Sequence, residues 1–149
     1  MTAEQDRIAF AIDRDSGGIL FDGALAIEPR AHSAEVELRV RDLILRSRDH
    51  GNGYRWLDLG RLSFGGRPAW LSLAFHDAVL EQIDWSVTLD GAESDGGWPT
   101  REAIDAEIAF VRATLVEEMG IVPGTQAWGE VWSLFDPKGF QAANGLRYR

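Results

Sequence analysis

One apolar stripe between residues 100 and 119 constrains this chain more than any other feature. Apolar residues recur there at spacings of four, three, four and four positions, namely Ile104, Ile108, Val111, Leu115 and Met119. A period of about 3.6 residues places all of them along one side of an α-helix. Because a helix cannot bury such a stripe by itself, the rest of the chain must supply a second layer for it to pack on.

The sequence also marks both ends of this helix. Thr100 follows Pro99, and its hydroxyl can accept a hydrogen bond from the first helical turn. Gly120 suits the left-handed conformation just after a helix, and Pro123 prevents the helix from continuing. We therefore predict one main helix at about 100–119.

Most of the remaining chain is typical of short β-strands separated by Gly, Asp and Asn. Apolar residues alternate over 8–12, and the pair Asp22 and Gly23 favours a tight hairpin turn. Such strands form the second layer that the helix needs. The sequence therefore predicts an α+β fold with a mostly antiparallel twisted sheet, the main helix packed on one face, and a single domain spanning 1–149.

Residues 35–41 show the clearest alternation of charged and apolar side chains. A period of two residues is typical of a strand with one buried face. We therefore predict a strand in which Val36, Leu38 and Val40 face inward.

The hairpin around residue 77 presents a question of register. The apolar alternation of the strand that ends at Phe75 matches that of the strand starting at Val79 only across a three-residue loop of His76, Asp77 and Ala78. A two-residue turn would put the two apolar sets on opposite faces, since a slip of one residue reverses every side chain. The pattern therefore predicts the longer loop, with Phe75 and Val79 on the same face.

The C-terminal part carries a hairpin and a resemblance. Residues 128–135 and 140–148 form strand patterns, and the Asp-Pro-Lys-Gly sequence of 136–139 that joins them is typical of a type I turn. An acidic helix, a Trp-Gly strand beginning at Trp128 and this hairpin resemble small, uncharacterised bacterial α+β proteins of mobile gene cassettes or toxin neighbourhoods. The resemblance covers about 98–148, implies an α+β fold and carries over no catalytic residues.

Composition limits the functional classes. The chain has 149 residues and no cysteine, which excludes disulfides, thiolate metal sites and cysteine catalysis. No apolar run approaches the ~20 residues that a membrane helix needs. The start of the chain, residues 1–7, is polar and lacks the apolar stretch of a secretory signal. We therefore expect a cytoplasmic protein without a membrane partner.

The charge of the chain is concentrated in one stretch. The net charge is −9, which argues against a nucleic-acid partner because such binding depends on neutralising phosphates. Residues 77–118, which we call the acidic segment, hold eleven acidic and two basic residues and so carry the whole excess. This pattern indicates either an acidic face for a basic protein partner or a surface that keeps the protein soluble.

Four acidic residues distinguish these two interpretations. Glu81 and Asp84 lie on a predicted strand, whereas Asp105 and Glu118 lie on the predicted helix. A docking face would bring the two pairs close together, and a solubilising surface would scatter them. We take these four residues as candidate binding residues.

The six tryptophans are a second unusual feature. In the predicted strand 128–135, Trp128 and Trp132 lie on one face while apolar residues also occupy the other. One face can meet the helix. The other can line a ligand cavity, meet a second chain, including one in a homo-oligomer, or pack under a long loop. Trp128 and Trp132 are therefore further candidate binding residues.

No catalytic signature is present. The sequence lacks the GxSxG, HExxH and GxGxxG motifs and a phosphate-binding glycine-rich loop. Its three histidines, His32, His50 and His76, fall in separate predicted loops, which does not suit a metal site. We therefore predict no metal and no cofactor, and the sequence nominates no catalytic residue.

Two functional hypotheses follow from these observations. The first is a non-enzymatic protein-binding module, immunity-like in one version, that recognises a basic protein partner through an acidic and aromatic surface. The alternative is a small-molecule-binding protein or an uncharacterised hydrolase with a Trp-lined pocket. A flat acidic face favours the first hypothesis, and a deep cavity with convergent polar groups favours the second.

Overall fold

The computed structural model describes residues 6–91 and 94–149, so residues 1–5 of the polar start and Glu93 of the acidic segment lie outside it. The strands are β1 (Ile8–Ile12), β2 (Ile19–Phe21), β3 (Ala24–Ile27), β4 (Ile44–Asp49), β5 (Tyr54–Phe64), β6 (Arg67–His76), β7 (Val79–Val87), β8 (Ser94–Asp95), β9 (Trp98–Pro99), β10 (Gly124–Gln126), β11 (Gly129–Asp136) and β12 (Gln141–Tyr148). The helices are α1 (Ser33–Val40) and α2 (Arg101–Met119).

Ten of these strands form one sheet that curls into a half-barrel. Its order is β10-β11-β12-β7-β6-β5-β1-β2-β3, and β4 pairs with β5 off this path. β8 and β9 form a separate two-stranded ribbon before α2. The long central strands β5, β6, β7 and β12 therefore form the platform on which the other elements are arranged.

The predicted fold class is wrong in two respects, and the first concerns the sheet. The sheet is mixed, because β1 runs parallel to β5 with Ile8 opposite Leu62 and Ala9 opposite Ser63. Two strands pair along the same edge of β5. β4 pairs with its first part, up to Leu59, and β1 pairs with Leu62 and Ser63, after the register shift between Leu59 and Leu62. This pairing joins residues more than fifty positions apart, so no local pattern in the sequence reports it.

The second respect is α1, which forms where the sequence predicts a strand. Val36 and Val40 are buried and lie four residues apart, a spacing that fits one side of a helix as well as it fits an alternating strand. The imidazole of His32 accepts a hydrogen bond from the amide of Ala34 and caps the first turn. Leu38, predicted to face inward, is 68% exposed. The described residues therefore form two α-helices, and a short 3-10 turn (Arg41–Leu43) follows α1.

α2 begins and ends where the sequence predicts. The hydroxyl of Thr100 accepts a hydrogen bond from the amide of Ala103, and Gly120 adopts the left-handed conformation with φ of 69°. Val111 and Leu115 of the apolar stripe are completely buried. The helix therefore packs its stripe against the sheet, as the two-layer argument requires.

The sheet has one covered face and one open face. The covered face carries cross-strand rows of buried side chains, which include Leu57, Leu73, Ile83, Leu146 and Val131, and α2 contacts it at β11 and β12. Asn144 and Ser133 belong to this face. The amide of Asn144 donates to Glu107 of α2, and the carbonyl of Ser133 accepts from Arg112. Side chains that alternate with these point to the opposite side, which we call the open face.

The predicted three-residue loop between β6 and β7 is wrong. His76 lies opposite Val79 across a two-residue turn in which Asp77 and Ala78 both have positive φ, the geometry that matches the twist of a hairpin. Phe75 pairs with Leu80, so Phe75 and Val79 lie on opposite faces. The register then shifts, because the next pair is Ala74 with Gln82, and Glu81 is left as an extra residue in β7. Beyond this bulge the apolar residues of β6 and β7, such as Leu73 and Ile83, lie on a common face.

Candidate interface on the open face

A row of five residues crosses the open face on neighbouring strands. In order from β5 to β11, the residues that lie opposite one another are Asp58, Ser72, Asp84, Gly145 and Trp132. Trp70, two residues before Ser72, and Leu134, two residues after Trp132, extend the same face. Trp70 is 39% and Leu134 46% exposed, so this part of the sheet carries large apolar side chains without a covering layer.

These side chains surround a depression of about 430 Å³. Its lining includes the indoles of Trp70 and Trp132, with Ser72, Gln82, Asp84 and Asp136 as polar groups. Aromatic walls around a few polar groups are typical of surfaces that bind another molecule. The depression is therefore the candidate functional site.

Asp84 lies half-buried in this depression. Both of its carboxylate oxygens accept hydrogen bonds from the side-chain amide of Gln82, each at 3.2 Å. Burial raises the pKa of Asp84, and the hydrogen bonds from Gln82 and the charge of Arg147 counteract it only in part. Among the side chains that the structure describes, no cation forms an ion pair with Asp84. Arg147 instead donates a hydrogen bond to the side-chain oxygen of Gln82 (Oε1), at 3.1 Å.

Asp58, in the same row, has the opposite environment. It accepts hydrogen bonds from Arg46 at 3.0 Å, Arg48 at 2.9 Å and Ser72 at 2.8 Å. Burial by itself raises the pKa of Asp58, but these three hydrogen bonds outweigh burial and the pKa is lowered. Among the described residues, Asp58 therefore has two ion-pair partners, whereas Asp84 has none and feels only the charge of Arg147.

Gly145 allows Trp132 to reach Asp84. A Cβ atom at this position would lie 2.6 Å from a carboxylate oxygen of Asp84 and 2.6 Å from the Cζ2 ring atom of Trp132. Both distances are shorter than the 3.0 Å within which Cβ atoms essentially never approach another heavy atom. The absent side chain therefore makes the space in which the indole of Trp132 lies across β12 beside the carboxylate.

The acidic candidates of the sequence do not form one cluster. Asp84 lies on the open face, whereas Asp105 and Glu118 lie on α2, which packs on the covered face. Asp105 forms an ion pair with Arg101 at 3.0 Å, and Glu118 is exposed in the last turn of α2. Glu81 is the extra, half-buried residue of the bulge in β7. The structure therefore joins Asp84 to Trp132 and separates both from the acids of the helix.

Trp128 has a packing role at the other end of β11. Its indole N–H donates to the backbone carbonyl of Arg14 at 2.9 Å, and its ring centroid lies 6.0 Å from that of Tyr148. The ring also rests on Gly17, where a Cβ atom would approach within 2.4 Å. The hydroxyl of Tyr148 donates to the carbonyl of Gly17 at 2.7 Å. Trp128 therefore ties the loop after β1 to the C-terminal strands, away from Asp84.

Trp70, Ser72 and Gly145 belong to the candidate site but were not among the residues selected from the sequence. Trp70 and Ser72 alternate with the buried Leu71 and Leu73, which places them on the other face of the strand. A glycine inside a strand is typical of a close approach by another group. Both signals were available in the sequence.

Glu107 is the second carboxylate with a raised pKa, and it lies on the covered side. Burial raises its pKa, while hydrogen bonds from the amide of Val87 at 3.3 Å and from Asn144 at 2.8 Å counteract that shift. These bonds connect α2 to β7 and β12. Glu107 therefore attaches the helix to the sheet.

Metal sites and membrane-spanning helices are both absent from the part of the chain that the structure describes. No group of three or more His, Asp or Glu side chains there is arranged to hold a metal ion. No helix in that part is long and apolar enough to cross a membrane.

No protein-family model matches this chain, and no curated protein sequence is significantly similar to it. Its fold does resemble a chain of a solved structure, the complex of Rhs1-CT with its cognate immunity protein RhsI1. The two chains superpose with a TM-score of 0.53 over 95% of this chain and 87% of the other, at 12% sequence identity. This likeness shows a shared fold.

Proposed function

We propose that this protein is a protein-binding module that recognises a basic protein partner through the open face of its sheet. In its most specific form the role is immunity-like, in which the module neutralises a partner by occupying its functional surface. The protein acts in the cytoplasm in this proposal. Asp84 and Trp132 are the central contacts, and the other acidic residues contribute mainly through their long-range charge.

One observation carries the proposal. Exposed Trp70 and half-buried Trp132 line the depression around Asp84, a carboxylate that forms no ion pair with the described residues, and exposed Leu134 extends the same face. Binding hot spots are typically tryptophan, tyrosine and arginine contacts, grouped at the centre of an interface and sealed from water by their neighbours. The open face has the residue types and the arrangement of such a centre.

The net charge and the fold neighbour support the same proposal. A net charge of −9 accelerates encounters with a basic protein, and this acceleration decreases as salt rises. The structural neighbour comes from a complex that contains a cognate immunity protein. The C-terminal resemblance to proteins of toxin neighbourhoods points in the same direction.

The test begins with purification of partners from the native cells on a tagged form of this chain. Each co-purifying protein is then produced on its own, and its direct binding is measured by biolayer interferometry. We expect Trp132→Ala to weaken binding by roughly 2 kcal/mol or more, the loss typical of an interface hot spot. Glu118→Gln and Asp105→Asn, which change charge on the covered side, should alter mainly the association rate.

Two outcomes would contradict the proposal. One is that no purified protein binds directly. The other is that the helix variants reduce affinity more than Trp132→Ala does, which would move the interface to α2.

A small-molecule role is the second candidate, because the depression of about 430 Å³ is large enough for a ligand and has aromatic walls. In that case a metabolite extract should change the fluorescence of the wild-type protein and leave that of Trp132→Phe unchanged. The protein-binding role predicts no such change from the small-molecule fraction.

A further inference from the structure

We infer that the depression around Asp84 receives the guanidinium group of an arginine side chain from the partner, held between the carboxylate and the indoles of Trp70 and Trp132. This inference rests on the proposed function and specifies the chemistry of its central contact. Three features support it: the neighbouring aspartate, the aromatic walls and the position of Arg147.

The neighbouring aspartate shows what the row accepts. Asp58 and Asp84 lie in the same cross-strand row, on either side of Ser72, and therefore about 10 Å apart across two strand spacings. Asp58 is satisfied by the guanidinium groups of Arg46 and Arg48 together with the hydroxyl of Ser72. Asp84 is accessible from the same face and lacks that cation. An arginine from outside would complete at Asp84 the arrangement that the chain itself provides at Asp58.

The aromatic walls favour arginine over lysine. A guanidinium group is planar, stacks on aromatic rings and donates two parallel hydrogen bonds to a carboxylate, whereas an ammonium group is a compact, strongly hydrated charge. This chain already makes the contact elsewhere, since Arg101 lies 3.8 Å above the ring of Phe135 and Arg48 lies 5.5 Å from that of Trp56. Trp132 beside Asp84 offers the larger ring that this contact prefers.

Arg147 stabilises the Asp84 carboxylate only in part through its charge, and it forms no ion pair with it among the described residues. Its guanidinium donates a hydrogen bond to the side-chain oxygen of Gln82. This bond orients the side-chain nitrogen of Gln82 towards both carboxylate oxygens of Asp84. Gln82 thereby fixes the orientation of the carboxylate without neutralising it. The half-buried charge of Asp84 is left for a ligand, and a bound guanidinium would offset the unfavourable burial.

The test uses a probe that needs no knowledge of the partner. N-acetyl-arginine amide and N-acetyl-citrulline amide are titrated into the protein, and the indole N–H signals of its tryptophans are followed by NMR. Citrulline has nearly the same shape as arginine but carries no charge. We expect saturable shifts for Trp70 and Trp132 with the arginine probe, and binding weaker by roughly tenfold or more with the citrulline probe.

Two variants complete the test. Asp84→Asn should weaken binding of the arginine probe by roughly tenfold or more, because it removes the charged acceptor. Asp105→Asn, with the same change in net charge, should leave the affinity within about twofold, since exposed charges are screened over about 8 Å at physiological salt. Equal affinity for arginine and citrulline, or an unchanged affinity in Asp84→Asn, would overturn the inference.

The inference and the proposed function can fail separately. If a purified partner binds through Trp132 while the arginine probe does not bind, the anchor is wrong and the function stands. If the arginine probe binds at Asp84 while no protein partner exists, the function is wrong and the preference of the site for a guanidinium group stands.

Discussion

Asp58 and Asp84 show how strongly neighbouring side chains determine what one residue can do. Both are aspartates on the same face, and both are partly buried. Hydrogen bonds from Ser72 and two arginines lower the pKa of Asp58 against the effect of burial, whereas burial dominates at Asp84 and raises its pKa. The ionised form of Asp58 therefore stabilises the fold. The ionised form of Asp84 lowers the free energy of unfolding, and a bound cation would offset that loss.

Asp84→Asn should therefore stabilise the free protein. Burial disfavours the ionised form of Asp84, so its contribution to stability falls as pH rises from the unfolded value of 3.8 through the raised folded pKa. At neutral pH we expect the variant to be more stable by roughly 0.5 kcal/mol or more, as measured by urea unfolding. The gain should disappear in acid, below the unfolded pKa. A variant less stable at neutral pH would show that the ionised carboxylate supports the fold.

Gly17→Ala should strongly destabilise the protein, because Gly17 has φ of +80° and its added Cβ would meet the ring of Trp128. Gly23 provides the matched control, since it has φ of +85° and nothing within 4 Å. Gly23→Ala should cost about 1–2 kcal/mol of unfolding free energy from backbone strain alone. Gly17→Ala should cost about 1–3 kcal/mol more through overpacking, measured by the same unfolding assay. Equal costs would contradict the packing role of Trp128.

Elements with local signals were predicted well from the sequence, and elements fixed by distant contacts were not. α2 has a cap, an apolar stripe and a terminal glycine within twenty-one residues, and the structure follows all three. The C-terminal hairpin of β11 and β12 forms where the sequence predicts it, with Asp136 paired to Gln141 and residues 137–140 as its loop. The sequence predicts a strand at α1 because Val36 and Val40 fit the periods of both a strand and a helix. Only the packing of α1 against the core decides between the two.

The candidate site likewise could be predicted where local sequence signals exist and not where distant contacts decide. The sequence selects Asp84 through charge and Trp132 through composition. In the docking-face interpretation it groups Asp84, but not Trp132, with the acids of α2. That grouping fails because strand faces alternate, so the position of α2 on the covered face separates it from Asp84. Trp70 could have been found from its alternation with Leu71.

The turn between β6 and β7 allows a direct test at the scale of an element. Ala78 has φ of 69°, which costs a residue with a Cβ about 1–2 kcal/mol. Ala78→Gly should therefore stabilise the protein by about 0.5–1 kcal/mol after the entropy of the unfolded glycine is subtracted. Ala113→Gly, on the exposed side of α2, should destabilise it by about 1 kcal/mol. Destabilisation by both changes would favour the three-residue loop that the sequence predicted.

The attachment of α2 to the sheet can be tested at Glu107. Glu107→Ala removes the acceptor for Val87 and Asn144 and should cost about 1–3 kcal/mol in unfolding free energy. Glu107→Gln keeps an acceptor oxygen. Burial raises the pKa of Glu107 in the folded protein above its unfolded value of 4.5. The free energy of unfolding should therefore fall as pH rises from 4.5 through the folded pKa, because Glu107 ionises. Glu107→Gln should abolish that decrease. An identical pH dependence in the wild type and in Glu107→Gln would contradict this assignment.

At the scale of the whole molecule, the two faces of one sheet differ in composition, and we propose that the covered face maintains the fold while the open face binds a partner. The covered face holds the core and α2, whereas the open face combines exposed aromatic side chains with an aspartate that lacks a cation. The excess negative charge is spread over both sides. In the proposed function, this charge would attract a basic partner from a distance, and Asp84 and Trp132 would contact it.

Radical footprinting of the tryptophans in the presence of the purified partner tests this division most directly. Trp70 on the open face is 39% exposed, and Trp98, which precedes α2, is 62% exposed, so oxidation of each can be followed by mass spectrometry. We predict that the partner protects Trp70 and Trp132 and leaves Trp98 as reactive as in the free protein. Protection of Trp98 with unchanged oxidation of Trp70 and Trp132 would contradict binding through the open face.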